Sequence, residues 1–237
     1  MADAARRAVA EGLATALLLA TVVGSGIMAE RLAGGNGALA LLGNALATGA
    51  MLPVLIWLFG PLSGAAMNPA VTLVQWRAGA VAGAEALRMA AAQAAGALAG
   101  VALAHAMFGL PLVQAGGAAR GLPGHWLAEA VATAGLVWVV LGVPAGRVAV
   151  AVGLYITAAY WFTASTSFAN PAVTLARGFT ASFSGIALAD VPGFVAAQLA
   201  GALGAAALWR WLSPGLPGPR PMRQDAPCAG SSSRCCC

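Results

Sequence analysis

Met67-Asn68-Pro69-Ala70-Val71-Thr72-Leu73 and Ala169-Asn170-Pro171-Ala172-Val173-Thr174-Leu175 are two copies of one phrase, with their Asn residues 102 positions apart. Asn-Pro-Ala is a natural helix opening. Asn caps the first turn, and Pro at the first helical position forfeits an N–H that would be unpaired anyway. One copy is a common loop; two, each trailed by Val-Thr-Leu, form a duplicated structural device.

The chain around them reads as membrane. Of its 237 residues 60% are hydrophobic and 8% charged, with a mean hydropathy of +0.84. Soluble domains carry about 25% charged residues. Six apolar stretches approach the roughly 20 residues needed to cross a bilayer: Val9–Met28, Ala38–Phe59, Leu87–Phe108, Trp126–Val143, Val148–Ser165 and Val191–Leu212. They are rich in Ala and Gly, which lets helix backbones approach closely in lipid. Val9–Met28 is too long for the apolar region of a cleaved leader and contains Glu11, so it reads as a span.

The net charge of +5 comes from Arg, with no Lys in the chain. With the N-terminus inside, Arg6, Arg7, Arg77, Arg88, Arg147, Arg210, Arg220, Arg223 and Arg234 fall on the cytoplasmic side, and only Arg31, Arg120 and Arg177 outside. That bias sets the orientation, with both termini cytoplasmic. These charges are topology signals; no basic stripe interleaved with aromatics points to nucleic acid.

The repeat extends beyond the doubled triplet. Ala10-Glu11 with Thr15 is matched by Ala128-Glu129 with Thr133, and Ala92-Gln93 in the third span by Ala197-Gln198 in the sixth. Three spans per half is an odd number, so the second half enters the membrane upside down, an inverted-topology repeat of the kind found in transport proteins. In each half a breaker-rich stretch, Gly60–Met67 or Thr166–Ala169, leads into an apolar run too short to cross, ending near Trp76 or Phe179. Such runs read as re-entrant half-helices, tolerated only where protein or a water-filled cavity covers their backbone. Inversion brings their N-termini together near the midplane. Both positive helix ends and the amides of Asn68 and Asn170 then face one point. That arrangement suits neutral, hydrogen-bonding solutes and opposes cations.

These residues resemble the major intrinsic proteins, the aquaporins and aquaglyceroporins. The resemblance rests on Ala10-Glu11, Ser63-Gly64-Ala65 through Asn68-Pro69-Ala70-Val71-Thr72, Gln93, Ala128-Glu129, Asn170-Pro171-Ala172 and Ala197-Gln198. It implies an all-α membrane protein of six transmembrane helices plus two half-helices around one pore per subunit. It also implies a homotetramer in the bacterial inner membrane and no cofactor. The expected organisation is a cytoplasmic N-terminus 1–8, a channel domain 9–212 and a disordered cytoplasmic tail 213–237, with repeats at about 9–108 and 126–212.

Two departures from the family pattern bear on selectivity. The family commonly has His two residues before the first Asn, where this chain has Ala66. Its second motif usually continues with an Arg that lines the outer constriction, where this chain has Val173. Arg177, one turn later, is not assumed to substitute. Carrying the other constriction positions over by spacing gives Thr48, Ala158 and Ser167, all small. A wide, weakly charged filter is therefore expected. Ala164–Ala169 followed by Val173 also resembles a bacterial branch associated with arsenic resistance, which implies solutes such as glycerol or arsenite as As(OH)3.

Other residues admit plainer readings. Glu11 and Glu129 read either as proton-relay acids or as acceptors holding the re-entrant loops, and their symmetric placement favours the scaffold. Gln93 and Gln198 read as loop anchors, and His105 and His125 as interfacial residues. Cys228, Cys235, Cys236 and Cys237 all lie in the tail. Their thiolates suit a soft metal, but an inessential low-complexity end is the favoured reading. An ion-coupled secondary transporter also uses inverted repeats and broken helices, yet needs an ion site, and the buried acids here already have a scaffold role. No catalytic Ser/His/Asp set or phosphate loop suggests an enzyme.

Overall fold

The computed structural model describes residues 2–214. The four tail cysteines lie outside the described residues. Eight α-helices follow in order: α1 Ala2–Leu32, α2 Gly37–Ser63, α3 Pro69–Arg77, α4 Gly83–Met107, α5 Pro123–Gly142, α6 Ala145–Phe162, α7 Pro171–Arg177 and α8 Val191–Leu212. All except α3 and α7 are long and apolar enough to cross a membrane. The first span runs longer than its apolar stretch. Residues 2–8 continue α1 as helix, and Arg7 pairs with Glu85 at the start of α4 at 2.6 Å.

Local chemistry sets the boundaries. Asn36 caps α2 by accepting from the N–H groups of Ala38 and Leu39, and Gly64 ends it in a left-handed conformation at φ 95°. Pro123 and Pro171 stand at the first helical position of α5 and α7, as Pro69 does in α3.

The long helices pair as the inverted repeat requires: α1 against α4, α5 against α8, and α2 against α6 across the repeat boundary. Each pairing is a close backbone approach through glycine. A Cβ at Gly96 or Gly100 of α4 would overlap the carbonyls of Gly12 or Ala16 on α1, and one at Gly201 of α8 would overlap that of Ala130 on α5. Between α2 and α6, Gly153 sits on the carbonyl of Gly49. Pro53, which has no N–H, leaves that carbonyl without its helical partner. Lipid gives no hydrophobic drive for helix association, so such contacts supply the packing. Large apolar side chains such as Leu13, Leu58, Leu127, Leu154 and Trp211 point outward and are exposed.

Gly96→Leu or Gly201→Leu must push a pair of helices apart, at a cost of about 1–3 kcal/mol or more. Both should lower the unfolding temperature and the monodisperse yield of detergent-solubilised protein. Gly146→Leu, facing open space, should change neither.

Candidate functional site

The two half-helices meet head to head. Asn68 accepts from the N–H of Ala70, and Asn170 from those of Ala172 and Val173, so each side-chain oxygen caps its own helix. Each amide nitrogen crosses to the other half. Asn68 Nδ2 donates to the carbonyl of Ala169 at 2.8 Å, and Asn170 Nδ2 to that of Met67 at 2.6 Å. A primary amide carries two N–H bonds. One from each Asn is spent on this reciprocal lock, which leaves one N–H on each amide.

The loops before the half-helices hang on two buried carboxylates. Glu11 accepts from Ser63 Oγ at 2.7 Å, from the N–H groups of Ala66 (3.0 Å) and Met67 (2.8 Å), and from Gln93 Nε2 (2.7 Å). Glu129 accepts from the N–H groups of Phe168 (2.9 Å) and Ala169 (2.8 Å) and from Gln198 Nε2 (2.5 Å). Gln93 and Gln198 each also donate to a half-helix hydroxyl, Thr72 or Thr174. The loops are strained. Ala65 and Met67, and Thr166, Ser167 and Ala169, hold positive φ between 46° and 61° without being glycine, a conformation that persists only where its surroundings over-determine it.

The strain has a geometric product. In a trans peptide the carbonyl points opposite the N–H. With the N–H groups of Ala66, Met67, Phe168 and Ala169 turned to the carboxylates, the carbonyls of Ala65, Ala66, Ser167 and Phe168 turn away from them. All four residues line one cavity of about 60 Å³, together with Asn68, Asn170 and Val173. A water needs about 10–15 Å³ by the same measure, so the cavity holds a short file of small molecules. Its walls pair apolar side chains, among them Leu52, Ile156 and Val152, with this strip of acceptors.

Thr48, Ser167 and Val173 line the same cavity. Ala158 does not. It sits on the exposed face of α6, and Tyr160 lines the cavity instead, its hydroxyl 3.3 Å from Thr48 Oγ1. The α6 residues facing inward are Val152, Ile156 and Tyr160, one helical stripe. Spacing counted from Asn170 misses that stripe by two residues, which turns a helix by about 200°. Tyr160 thus stands in the lining where Ala158 was expected, with the small side chains of Thr48, Ser167 and Val173.

Three more positions differ from their sequence reading. Arg177 is no surface charge: it is 2% exposed, lines the same cavity, donates through Nε to Ser184 O and lies 3.4 Å from the Phe168 ring centroid. His105 is fully buried rather than interfacial, contacting Leu112 O and Thr180 Oγ1. Arg120, in the loop after α4, reaches under the mouth to donate to Ser165 O and Gly185 O, with its guanidinium 5.4 Å from the Phe168 ring centroid. Burial pushes its pKa down, opposed by Glu129 and Tyr160. His125 is partly exposed and bonds the carbonyl of Arg120. The sequence carries a signal for these residues only in hindsight: segments 109–121 and 178–187 pair across this mouth, Gly116 N–H to Gly178 O and Ala187 N–H to Ala118 O, and enclose what precedes them.

A sequence profile described as "Major intrinsic protein" matches residues 1–147. The chain belongs to that family. It is 57% identical over 213 residues to an aquaglyceroporin, AqpS, of Rhizobium meliloti (strain 1021), covering 89% of this chain and 91% of that one. A probable aquaporin of Oryza sativa subsp. japonica, PIP2-8, is 39% identical over 104 residues, 44% of this chain and 37% of its own length. Among solved structures the aquaglyceroporin from Plasmodium falciparum shares the fold. Its TM-score is 0.66 at 18% identity, over 87% of this chain and 95% of that one. Members of the family are membrane channels for small solutes, and this chain is a multi-pass membrane protein of that kind.

Glu11→Gln and Glu129→Gln each place an N–H donor against backbone donors. Each should lower thermal stability in detergent by about 1.5–3 kcal/mol, the worth of hydrogen bonds to a charged group. A variant as stable as wild type would return the acids to the proton-relay reading.

Proposed function

We propose that the chain is a passive channel for small uncharged solutes: water, glycerol and metalloid acids such as arsenite. One observation carries this reading. Two Asn-capped half-helices bring their positive ends and remaining amide N–H groups to a narrow cavity that Ala65, Ala66, Ser167 and Phe168 of the preceding loops also line. A neutral molecule that both donates and accepts can exchange its water for these groups, whereas a cation meets two positive helix ends. Glu11 and Glu129 act as scaffold, holding the loops in the shape that turns the carbonyls inward. Asn68, Pro69, Ala70, Asn170, Pro171 and Ala172 form the central site.

Discrimination among solutes falls to Thr48, Ser167, Val173 and Tyr160, which all line the cavity. Val173 there is apolar and short, which supports passage of solutes bulkier than water. The similarity to an aquaglyceroporin of a bacterium supports glycerol as one of them, and the resemblance to the arsenic-associated branch supports arsenite. The distribution of Arg supports an inner-membrane protein with both termini cytoplasmic. A homotetramer is the proposed assembly, and 9–212 the proposed channel domain.

Stopped-flow swelling of proteoliposomes tests the reading. Flux of water and glycerol should rise linearly with the gradient and ignore a protonophore; saturable uptake that collapses with the proton gradient would establish the coupled transporter instead. Val173→Arg should cut glycerol and arsenite permeability by about tenfold, a barrier of about 1.4 kcal/mol, and spare water. Unchanged permeability to both larger solutes would remove Val173 from the constriction.

A further inference from the structure

A second cavity, of about 210 Å³, is lined in part by Ser63 and Gly64 and shares no lining residue with the cavity between the half-helices. Arg7, Gln75 and Glu85 bring further polar groups to its wall. Gln75 is 3% exposed, and its amide has no hydrogen-bond partner among the described residues. It is not one of the sealed polar groups of the interior, so it faces the cavity it lines. A buried amide without a partner calls for one.

The rest of the wall favours a cation that donates hydrogen bonds. A helix continuing past Ser63 would pair the N–H groups of Ala65, Ala66 and Met67 with the carbonyls of Pro61, Leu62 and Ser63. Here Ala65 donates to Ser63 Oγ instead, and Ala66 and Met67 donate to Glu11. The three carbonyls are left as orphans at the negative end of α2, and all three residues line the cavity. Arg7 brings no unbalanced charge, because its Nη1 donates to Glu85 Oε1 at 2.6 Å. The second carboxylate oxygen of Glu85 stays free among the described residues.

The second half shows what fits such a place. Counted from the two Asn residues, Ser63 corresponds to Ser165; counted from Gln93 and Gln198, Glu85 corresponds to Asp190. Arg120 bonds to both: its guanidinium donates to Ser165 O, and its backbone N–H to the Asp190 carboxylate. Counted from Glu11 and Glu129, the residue matching Arg120 is Ala2, which carries no donor. We propose that the cavity of the first half binds a small guanidinium cation from solution, the free counterpart of the Arg120 side chain. A planar fork of donors addresses several carbonyls at once, and guanidinium is more weakly hydrated than ammonium. Gln75 and Glu85 complete the acceptor set. The bound cation braces the loop before α3 as Arg120 braces the loop before α7.

Titration calorimetry of methylguanidinium into the detergent-solubilised full chain tests this, with thermal unfolding followed on the same preparation. One saturable equivalent per chain is expected, with an unfolding temperature that rises as the site fills. Urea has the shape without the charge, and tetramethylammonium the charge without the donors; both should bind at least about tenfold more weakly. Gln75→Leu and Glu85→Gln should each weaken methylguanidinium binding by about tenfold. They alter different walls, so either carries the test should the other fail to fold. Arg147→Gln, exposed and outside the cavity, should leave binding unchanged. Absence of saturable binding, equal binding of urea or tetramethylammonium, undiminished binding in the cavity variants or a loss in Arg147→Gln overturns the proposal. Binding is read without transport, so the result stands apart from the channel reading.

Discussion

Irregular backbone cannot sit at the depth of a bilayer unless the protein itself takes up its hydrogen bonds, and here two carboxylates do so. Glu11 and Glu129 each accept two consecutive backbone N–H groups from the loop that precedes a half-helix. Everything at the centre depends on those bonds. They hold non-glycine residues in left-handed conformations that cost roughly 1–3 kcal/mol each, and they set the distance at which the two Asn residues can exchange bonds with the opposite loop. Because the peptide is planar, turning its N–H outward to a carboxylate turns its C=O inward. The scaffold and the acceptor strip along the cavity are therefore one interaction seen from two sides.

Much of this is legible in the sequence because it is written in symmetric pairs. Hydropathy locates six spans to within a few residues at most ends, and the doubled Asn-Pro-Ala locates both half-helix starts, since capping chemistry is local. The acids and glutamines can be matched between halves because both copies keep the same neighbours. What fails is register. Counting back from Asn170 to α6 runs through Thr166, Ser167 and Ala169, all in left-handed conformations, so helical spacing does not carry across that loop. Spacing points to Ala158 in place of Tyr160 for that reason.

Arg177 and His105 escape sequence reading for a different one. Each stands at the end of a helix, where a polar side chain ordinarily reaches water. Both are buried because segments 109–121 and 178–187 fold over this mouth, and loops without periodicity give no signal of what they will cover. The partners of Arg177, Ser184 and Phe168, lie seven and nine residues away in irregular chain. Only the folded geometry brings them to it.

The two halves share their scaffold but not their chemistry at the mouths. Seven residues after Asn170 stands Arg177, and two before it Phe168; at the same offsets from Asn68 stand Gln75 and Ala66. The first half thus places a neutral amide and a methyl where the second places a buried cation and the ring that stacks on it. The asymmetry reaches the cavity itself: its lining includes Phe168 and Arg177 from the second half, but from the first half Ala66 and not Gln75.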